Sequence, residues 1–434
     1  MEAMSLAGLP TVMFLEAPDE ARLGRFAGYR AVGIASTARA RSPAWMDSHL
    51  PAAFSALKAL AAPLTHYKVC STFDSAPTLG SIGRAIEHGA AAFAPRFVPL
   101  VTAAPANGRF QAFGNLFAAV DGAVHRLDRH PVMSRHPATP MHEADLARHL
   151  GEQTSLRCGL VDLAALKAGR GGAALEDALA AGAAIVSFDV VDDETLETVG
   201  AIVWGEAARG ASFAAGSHGL EHALIAHWRA AGLLPPVTEP PEVAPTDRMV
   251  VVSGSVSPVT AAQIAHAEAH GFEVVALDAA AAVDERAWSA ALDQAIAAAS
   301  AALGSGRIPL VATARGPDDP AVVRFGEAVA ARGLARADVA ARIGTGLGRI
   351  LRELVATSRL RRAILSGGDT SGYAVTELGV FALAAVSPLA PGAPLCRTFA
   401  EDPAVDGLEV CLKGGQIGGT GFFVACTGRP AGAA

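Results

Sequence analysis

Short, almost wholly apolar runs alternate with amphipathic stretches along the whole chain, and this constrains the fold more than any other feature. "PTVMFL" (10–15), "RAVGIAS" (30–36), "HYKVC" (66–70) and "RFVPLVT" (96–102) have the length and branching of buried strands, and 160–164 and 184–190 continue the series. "AWMDSHLPAAFSALKAL" (44–60) and "IGRAIEHGAAAF" (82–93) have helical spacing. Later come "RMVVVSGS", "FEVVALDA", "RIPLVATA", "RRAILSGG" and "LEVCLKGG", again with helical stretches between them. A strand that is apolar on both faces must be covered on both, which is the condition of an interior strand in a parallel sheet. The pattern therefore predicts an α/β protein: two three-layer α/β domains with mainly parallel sheets and a cleft between them.

"LLPPVTEPPEVAPTDR" (233–248) carries five prolines and no helical periodicity, so it is expected to be an extended linker. It divides the chain into an N-terminal domain, 1–232, and a C-terminal domain, 249–434. At the start, "MEAMSLAGLPTVMFL" reads as the tail of a helix, stopped at Gly8, before the first strand. A first helix with no strand before it suggests a chain clipped at its N-terminus.

Composition excludes several classes of function. With 18% charged residues, a net charge of −7 and no basic block, nucleic acid is not an expected partner. Nothing resembles a membrane span or a signal peptide. Five scattered cysteines without CxxC spacing point to reduced thiols, and so to a cytoplasmic protein. A homo-oligomer is compatible with this composition.

Ligands of parallel α/β sheets collect at strand carboxyl ends. "SGGDTSG" (366–372) follows a strand and precedes "YAVTELGVFAL", expected to be a helix. Its glycines let backbone approach a ligand, and free N–H groups at a helix start favour an anion. Asp369 could hold a metal, while Thr370 and Ser371 supply hydroxyls. "SGSVSP" (253–258) and "KGGQIGGTGFF" (413–423) also end strands, and the three loops together suggest a nucleotide site without a Walker sequence. "GTGLG" (344–348) lies within a helical stretch and is expected to serve packing.

In the first half, "HYKVCSTFDSAPTLGSIG" (66–83) places Lys68 at a strand end, then Ser71, Thr72, Asp74 and Ser75, then a glycine-punctuated helix start. An ammonium beside hydroxyls and a carboxylate suits a small sugar acid. Arg39, in "STARAR", offers a bidentate clamp for its carboxylate. The competing account is a polar turn with a snorkelling lysine. The histidines of "HPVMSRHP" (130–137) and the pairs His218/His222 and His266/His270 lack the carboxylate of an HExxH motif, and a surface or hydrogen-bonding role is favoured for them over metal binding. The polar stretch 128–146 is expected to form an excursion over the cleft.

Taken together, "KVCSTFDSAPTLGSIG", "HPATPMHEADL", "SGSVSP" and "SGGDTSG" resemble the four-carbon acid sugar kinase family over essentially the whole chain. The resemblance implies an N-terminal domain that binds a sugar acid and a C-terminal domain that binds ATP with Mg²⁺, phosphorylating an alcohol of acids such as 3-oxo-tetronate, threonate or erythronate. It places Arg39, Lys68, Ser71, Thr72 and Asp74 on the acid side. It places Ser255 or Ser257, the loop Gly367, Gly368, Asp369 and Thr370, and Gly414, Gly415 or Gly418 on the nucleotide side, with Asp369 nearest the metal. The "HYKVCSTFDS" form is more similar to the 3-oxo-acid branch, including members acting on 3-oxo-isoapionate. Members usually begin with a strand and a "DDFTG"-like loop whose aspartates contact the acceptor, and this sequence begins at the helix after it. Asp74 is then the carboxylate nominated as general base, and closure about the 233–248 linker would exclude water. Two other readings stand beside the kinase: a non-catalytic binder of sugar acids, and a nicotinamide-linked dehydrogenase, whose glycine fingerprint is absent.

Overall fold

The computed structural model describes residues 1–210, 212–236, 239 and 241–429, apart from the side chain of Asp369. The strands, in chain order, are β1 (Thr11–Phe14), β2 (Ala31–Ile34), β3 (Leu64–Lys68), β4 (Val98–Val101), β5 (Arg109–Ala112), β6 (Asn115–Val120), β7 (Ala123–Arg126), β8 (Cys158–Val161), β9 (Ile185–Phe188) and β10 (Ser212–Gly216). They continue as β11 (Met249–Ser253), β12 (Phe272–Ala276), β13 (Ile308–Ala312), β14 (Arg362–Ser366), β15 (Val380–Ala390), β16 (Ala393–Ala400) and β17 (Glu409–Lys413). The chain forms two compact α/β units.

One unit comprises Ala17–Arg25 and Ile34–Pro236. Its five-stranded sheet has the order β3-β10-β4-β9-β8 and is parallel throughout. Strands β4 and β9 are buried at every position, as an interior parallel strand requires. Met46, Leu50 and Phe54 of the helix Pro43–Ala59 pack on one face with Ile82, Ile86 and Phe93 of Ile82–Phe93. Both helices begin at a serine that caps them: Ser42 accepts from the Trp45 amide and Ser81 from that of Arg84. After β4 the chain makes an antiparallel meander, β5-β6-β7. The stretch 128–146 that follows is turns and loop, with short 3₁₀ segments.

The other unit comprises Met1–Glu16, Phe26–Gly33 and Val237–Ala434. Its nine-stranded sheet has the order β12-β13-β11-β14-β17-β16-β15-β1-β2. From β12 to β17 the pairings are parallel; β17, β16, β15 and β1 pair antiparallel. One core lies between this sheet and the helices Glu285–Gly304 and Arg336–Ser358, a second between it and Pro258–Ala269. The glycines of "GTGLG" are packing positions, as expected. A Cβ at Gly344, Gly346 or Gly348 would lie within 3 Å of Tyr373, Trp288 or Glu377.

Two expectations need correction. The first 33 residues are not all part of the N-terminal unit, because β1 joins the other sheet through Met13 opposite Leu383 and Phe14 opposite Ala382. "YAVTELGVFAL" is helical only to Glu377; Gly379, at φ +68°, ends the helix and the β-branched and aromatic residues after it become β15. Of the expected linker, residues 237, 238 and 240 lie outside the described residues. Residues 241–247 form no helix or strand and are pinned to their own unit, with Ser387 Oγ donating to the Pro241 carbonyl (2.6 Å) and the Thr246 amide to that of Thr427 (2.8 Å). The opening helix is Glu2–Leu6, and Gly8 turns the chain at φ +91°, as the sequence suggests. No described helix is long and apolar enough to cross a membrane.

Candidate functional site

In the unit built on β3, the strand Leu64–Lys68 delivers Lys68 to the carboxyl edge of the sheet, level with Gly216 of β10. Its side chain is exposed and has no ion pair among the described residues. The chain then turns through Phe73, which is buried at φ +53°. A bulky residue in the left-handed region is an outlier that its surroundings must hold. That strained turn presents Thr72 and Asp74 on either side of Phe73.

Asp74 is almost wholly buried, and both its oxygens are engaged. Oδ2 accepts from Arg39 Nε (3.2 Å) and Nη2 (2.7 Å), and Oδ1 accepts from Thr72 Oγ1 (2.6 Å). Burial alone would raise its pKa, but the Thr72 hydroxyl and the Arg39 guanidinium outweigh it and hold the carboxyl below its usual range. A carboxylate so held is a weak proton acceptor, and its contacts anchor Arg39. Arg39 itself sits in a 3₁₀ turn, Ala38–Ala40, beyond the end of β2, with its side chain 60% exposed. One face of the guanidinium is fixed and the rest is open to an incoming group. Ser71 is half-buried in the same turn. Beneath it, Ser75 Oγ lies 2.9 Å from His149 Nε2, and Gln153 Nε2 donates to Ser75 Oγ (2.9 Å).

The adjacent strand β10 adds a group that motif reading passed over as bland. His218 starts the helix His218–Ala230, and its Nε2 lies 2.9 Å from Asn107 Oδ1. Burial first, then the charges of His222 and Lys68, push its pKa down to about 4. The turn that places it is tight: a Cβ on Gly219 would fall 1.8 Å from the Ala103 carbonyl oxygen. The "GSHG" sequence of residues 216–219 is the only local signal for it.

In the other unit, three loops leave three neighbouring strands at one level. Ser253 of β11 is opposite Ser366 of β14, and Ser366 is opposite Lys413 of β17. Gly367, at φ +126°, caps the start of the helix Gly368–Glu377 and has no side chain of its own to bond the first amides, which among the described residues are left without a side-chain cap and suit an anion. Gly254 and Gly415 allow the loops to meet, since a Cβ would lie 2.4 Å from Thr370 Oγ1 at the first and 2.6 Å from Ser255 Oγ at the second. Ser257 Oγ donates to the Gly415 carbonyl, Thr260 Oγ1 donates to the same oxygen (3.0 Å), and Gln263 Nε2 reaches the carbonyls of Ile417, Gly418 and Gly419 at 3.0 Å each. The structure thus brings together Ser255, Ser257, Gly367, Gly368, Thr370, Gly414, Gly415 and Gly418. The side chain of Asp369, the expected metal ligand, lies outside the described residues.

Sequence reasoning missed Thr260, Gln263 and Lys413 here. The signal for Lys413 was a charge at the last position of an apolar strand, directly before two glycines. No group of three His, Cys, Asp or Glu among the described residues is placed to hold a metal ion.

Residues 1–224 match the family model of a sugar-binding N-terminal domain, and residues 250–423 that of a nucleotide-binding C-terminal domain. The chain is 48% identical over 434 residues to a 3-oxo-isoapionate kinase of Paraburkholderia graminis, covering 100% of this chain and 92% of that protein. The chain belongs to the four-carbon acid sugar kinase family. Within this kinase family it is also 30% identical over 425 residues to a 3-oxo-tetronate kinase of Cupriavidus necator, covering 96% of this chain and 90% of the relative. Two crystal structures share the fold at 24% identity. A Haemophilus influenzae protein aligns with a TM-score of 0.76 over 99% of this chain and 96% of its own. A Salmonella typhimurium LT2 protein aligns with a TM-score of 0.78 over 98% and 94%. The first 33 residues, which the family model counts with the sugar-binding domain, contribute strands to the sheet of the nucleotide-binding one.

Proposed function

We propose that this protein is an ATP-dependent sugar-acid kinase, transferring the γ-phosphoryl group to a hydroxyl of a small 3-oxo acid, with 3-oxo-isoapionate the first substrate to try. The observation that carries this reading is the common level of three glycine- and hydroxyl-bearing loops on β11, β14 and β17, in a chain of this family. Phosphoryl transfer asks a protein for in-line positioning and charge neutralisation rather than covalent chemistry. Bare amides at the start of Gly368–Glu377, with Ser255, Ser257, Thr370 and the Gly414–Gly418 loop, are suited to that task. Mg²⁺, when bound, would offset charge on the β- and γ-phosphates. Asp369 is the residue we assign to it.

For the acceptor, Arg39 and Lys68 would take the carboxylate, and Ser71 and Thr72 the polar groups beside it. Asp74 would act as a positioning residue, presenting Arg39 in one orientation. The same reading places the enzyme in the cytoplasm. Its test is ADP release from ATP–Mg²⁺ with a panel of sugar acids that includes 3-oxo-isoapionate and 3-oxo-tetronate. We expect turnover with a 3-oxo acid and little with threonate or erythronate. If the chain binds both ATP and a 3-oxo acid yet releases no ADP with any of them, it is a binder and not a kinase.

A further inference from the structure

Lys413 closes β17 with its side chain fully buried. Its Nζ lies 3.1 Å from the Gly414 carbonyl, 3.3 Å from Thr260 Oγ1 and 3.5 Å from Ser366 Oγ. The rings of Phe422 and Phe423 lie 5.8 and 5.7 Å from it, within range of a cation–π contact. Every one of these partners is uncharged, and no described carboxylate pairs with the ammonium. A buried charge without a counter-ion is costly and is normally found paired. This one sits where the three loops converge: Ser366 starts the β14 loop, Thr260 holds the β17 loop through the Gly415 carbonyl, and Gly414 begins that loop.

We propose that Lys413 is the built-in counter-charge of the phosphate site, a positioning residue that ties the three loops together and in its ammonium form sets the affinity for the nucleotide triphosphate. The inference rests on the nucleotide reading of those loops and adds to it a residue and a titration.

Burial pushes the Lys413 pKa down to about 8. Its titratable neighbours are the thiols of Cys411, on the same strand, and Cys426, after the helix Phe422–Ala425; burial raises both, Cys426 to about 12, so both stay neutral. Asp369 follows Ser366 by three residues, and its side chain lies outside the described residues. The remaining contacts, from Ser366, Thr260, the Gly414 carbonyl and the rings of Phe422 and Phe423, do not titrate. Above pH 8 the free protein therefore holds much of Lys413 as the neutral amine. A polyanion arriving beside it favours the charged form, so ATP binding draws protons from solvent onto Nζ, up to one per ATP as the neutral fraction grows with pH.

The experiment is isothermal calorimetry of ATP–Mg²⁺ binding to the full chain, in two buffers of different ionisation enthalpy, at pH 7.0 and at pH 8.5. We expect uptake of roughly half a proton or more per ATP at pH 8.5 and close to none at pH 7.0. Lys413→Met, close in volume and uncharged, should weaken ATP binding at pH 7.0 by about tenfold or more and abolish the uptake, with sugar-acid binding unchanged. A wild-type chain that binds no ATP at either pH overturns the nucleotide reading itself. One that binds ATP without proton uptake at pH 8.5, or a Lys413→Met chain with wild-type affinity, overturns the role of Lys413 alone. Should Lys413→Met fail to fold, the wild-type buffer comparison still decides.

Discussion

Asp74→Asn distinguishes an anchor from a base. Asparagine keeps the shape and can still accept from Thr72, but it releases the charge that holds Arg39. If the carboxylate only orients the guanidinium, KM for the acid should rise by about tenfold while KM for ATP stays within about twofold and kcat falls little. A general base would give the opposite pattern, a kcat loss of about 10²–10⁴ at nearly constant KM. Steady-state kinetics with both substrates varied decides between them. The acid-side residues were legible in sequence because a loop concentrates them: a lysine, hydroxyls and an aspartate within a few positions have no common packing role. Their pairing was not legible, since Arg39 lies 35 positions from Asp74 and nothing local says that the two side chains meet. Lys413 was hidden for another reason. A lysine at a strand end is ordinarily a solvated tail, and only the hydroxyls that fold over it from Thr260 and Ser366 make it a buried charge.

Between elements, backbone clearance decides what substitution a helix tolerates. The helix Asp193–Ala207 carries two glycines with opposite surroundings. At Gly200 a Cβ would fall 1.9 Å from the Ala223 carbonyl oxygen in His218–Ala230, so the two helices approach backbone to backbone. At Gly205 nothing lies within 4 Å. Gly200→Ala should therefore destabilise by about 2–3 kcal/mol, because packed backbone has to move. Gly205→Ala should stabilise by roughly 0.5 kcal/mol through helix propensity alone. Chemical denaturation of the two variants checks both signs, and equal shifts would contradict the close approach. Buried parallel strands such as β4 and β11 were readable from their unbroken apolar runs. The antiparallel pair β15–β16 was not, because "YAVTELGVFAL" has helical spacing through its first half and the switch to strand lies in the single turn at Gly379. The meander β5–β7 was hidden likewise, since its strands are only partly buried and lack an apolar run.

For the molecule as a whole, sequence order misassigned one part of the chain. Proximity along the chain puts residues 1–33 with the sugar-acid unit, yet β1 and β2 extend the sheet of the nucleotide-binding unit past β15. An aromatic cluster shows what holds them there. Phe26 is buried with its ring 5.1 Å from Phe14 and 4.7 Å from Phe399, edge to face in both cases, and Phe14 stacks at 6.3 Å on Phe381. Two of these rings come from the first 26 residues and two from the β15–β16 hairpin. Such pairs add to the area they bury, and truncating one in a core costs about 3–5 kcal/mol. Phe26→Ala should therefore loosen the nucleotide-binding unit although residue 26 lies at the opposite end of the sequence from its phosphate loops. Hydrogen exchange followed by mass spectrometry should show faster exchange of amides in 380–400 and in 11–14, with β3 and β10 protected as in the wild type. Weaker protection in β3 and β10, with 380–400 unchanged, would mean that the early strands support the other sheet. The reason to expect the first outcome is the ladder itself: β1 pairs with β15 one strand in from the edge, with only the short β2 beyond it, and loss of the aromatic cover exposes that ladder to water before the parallel interior of the sheet is reached.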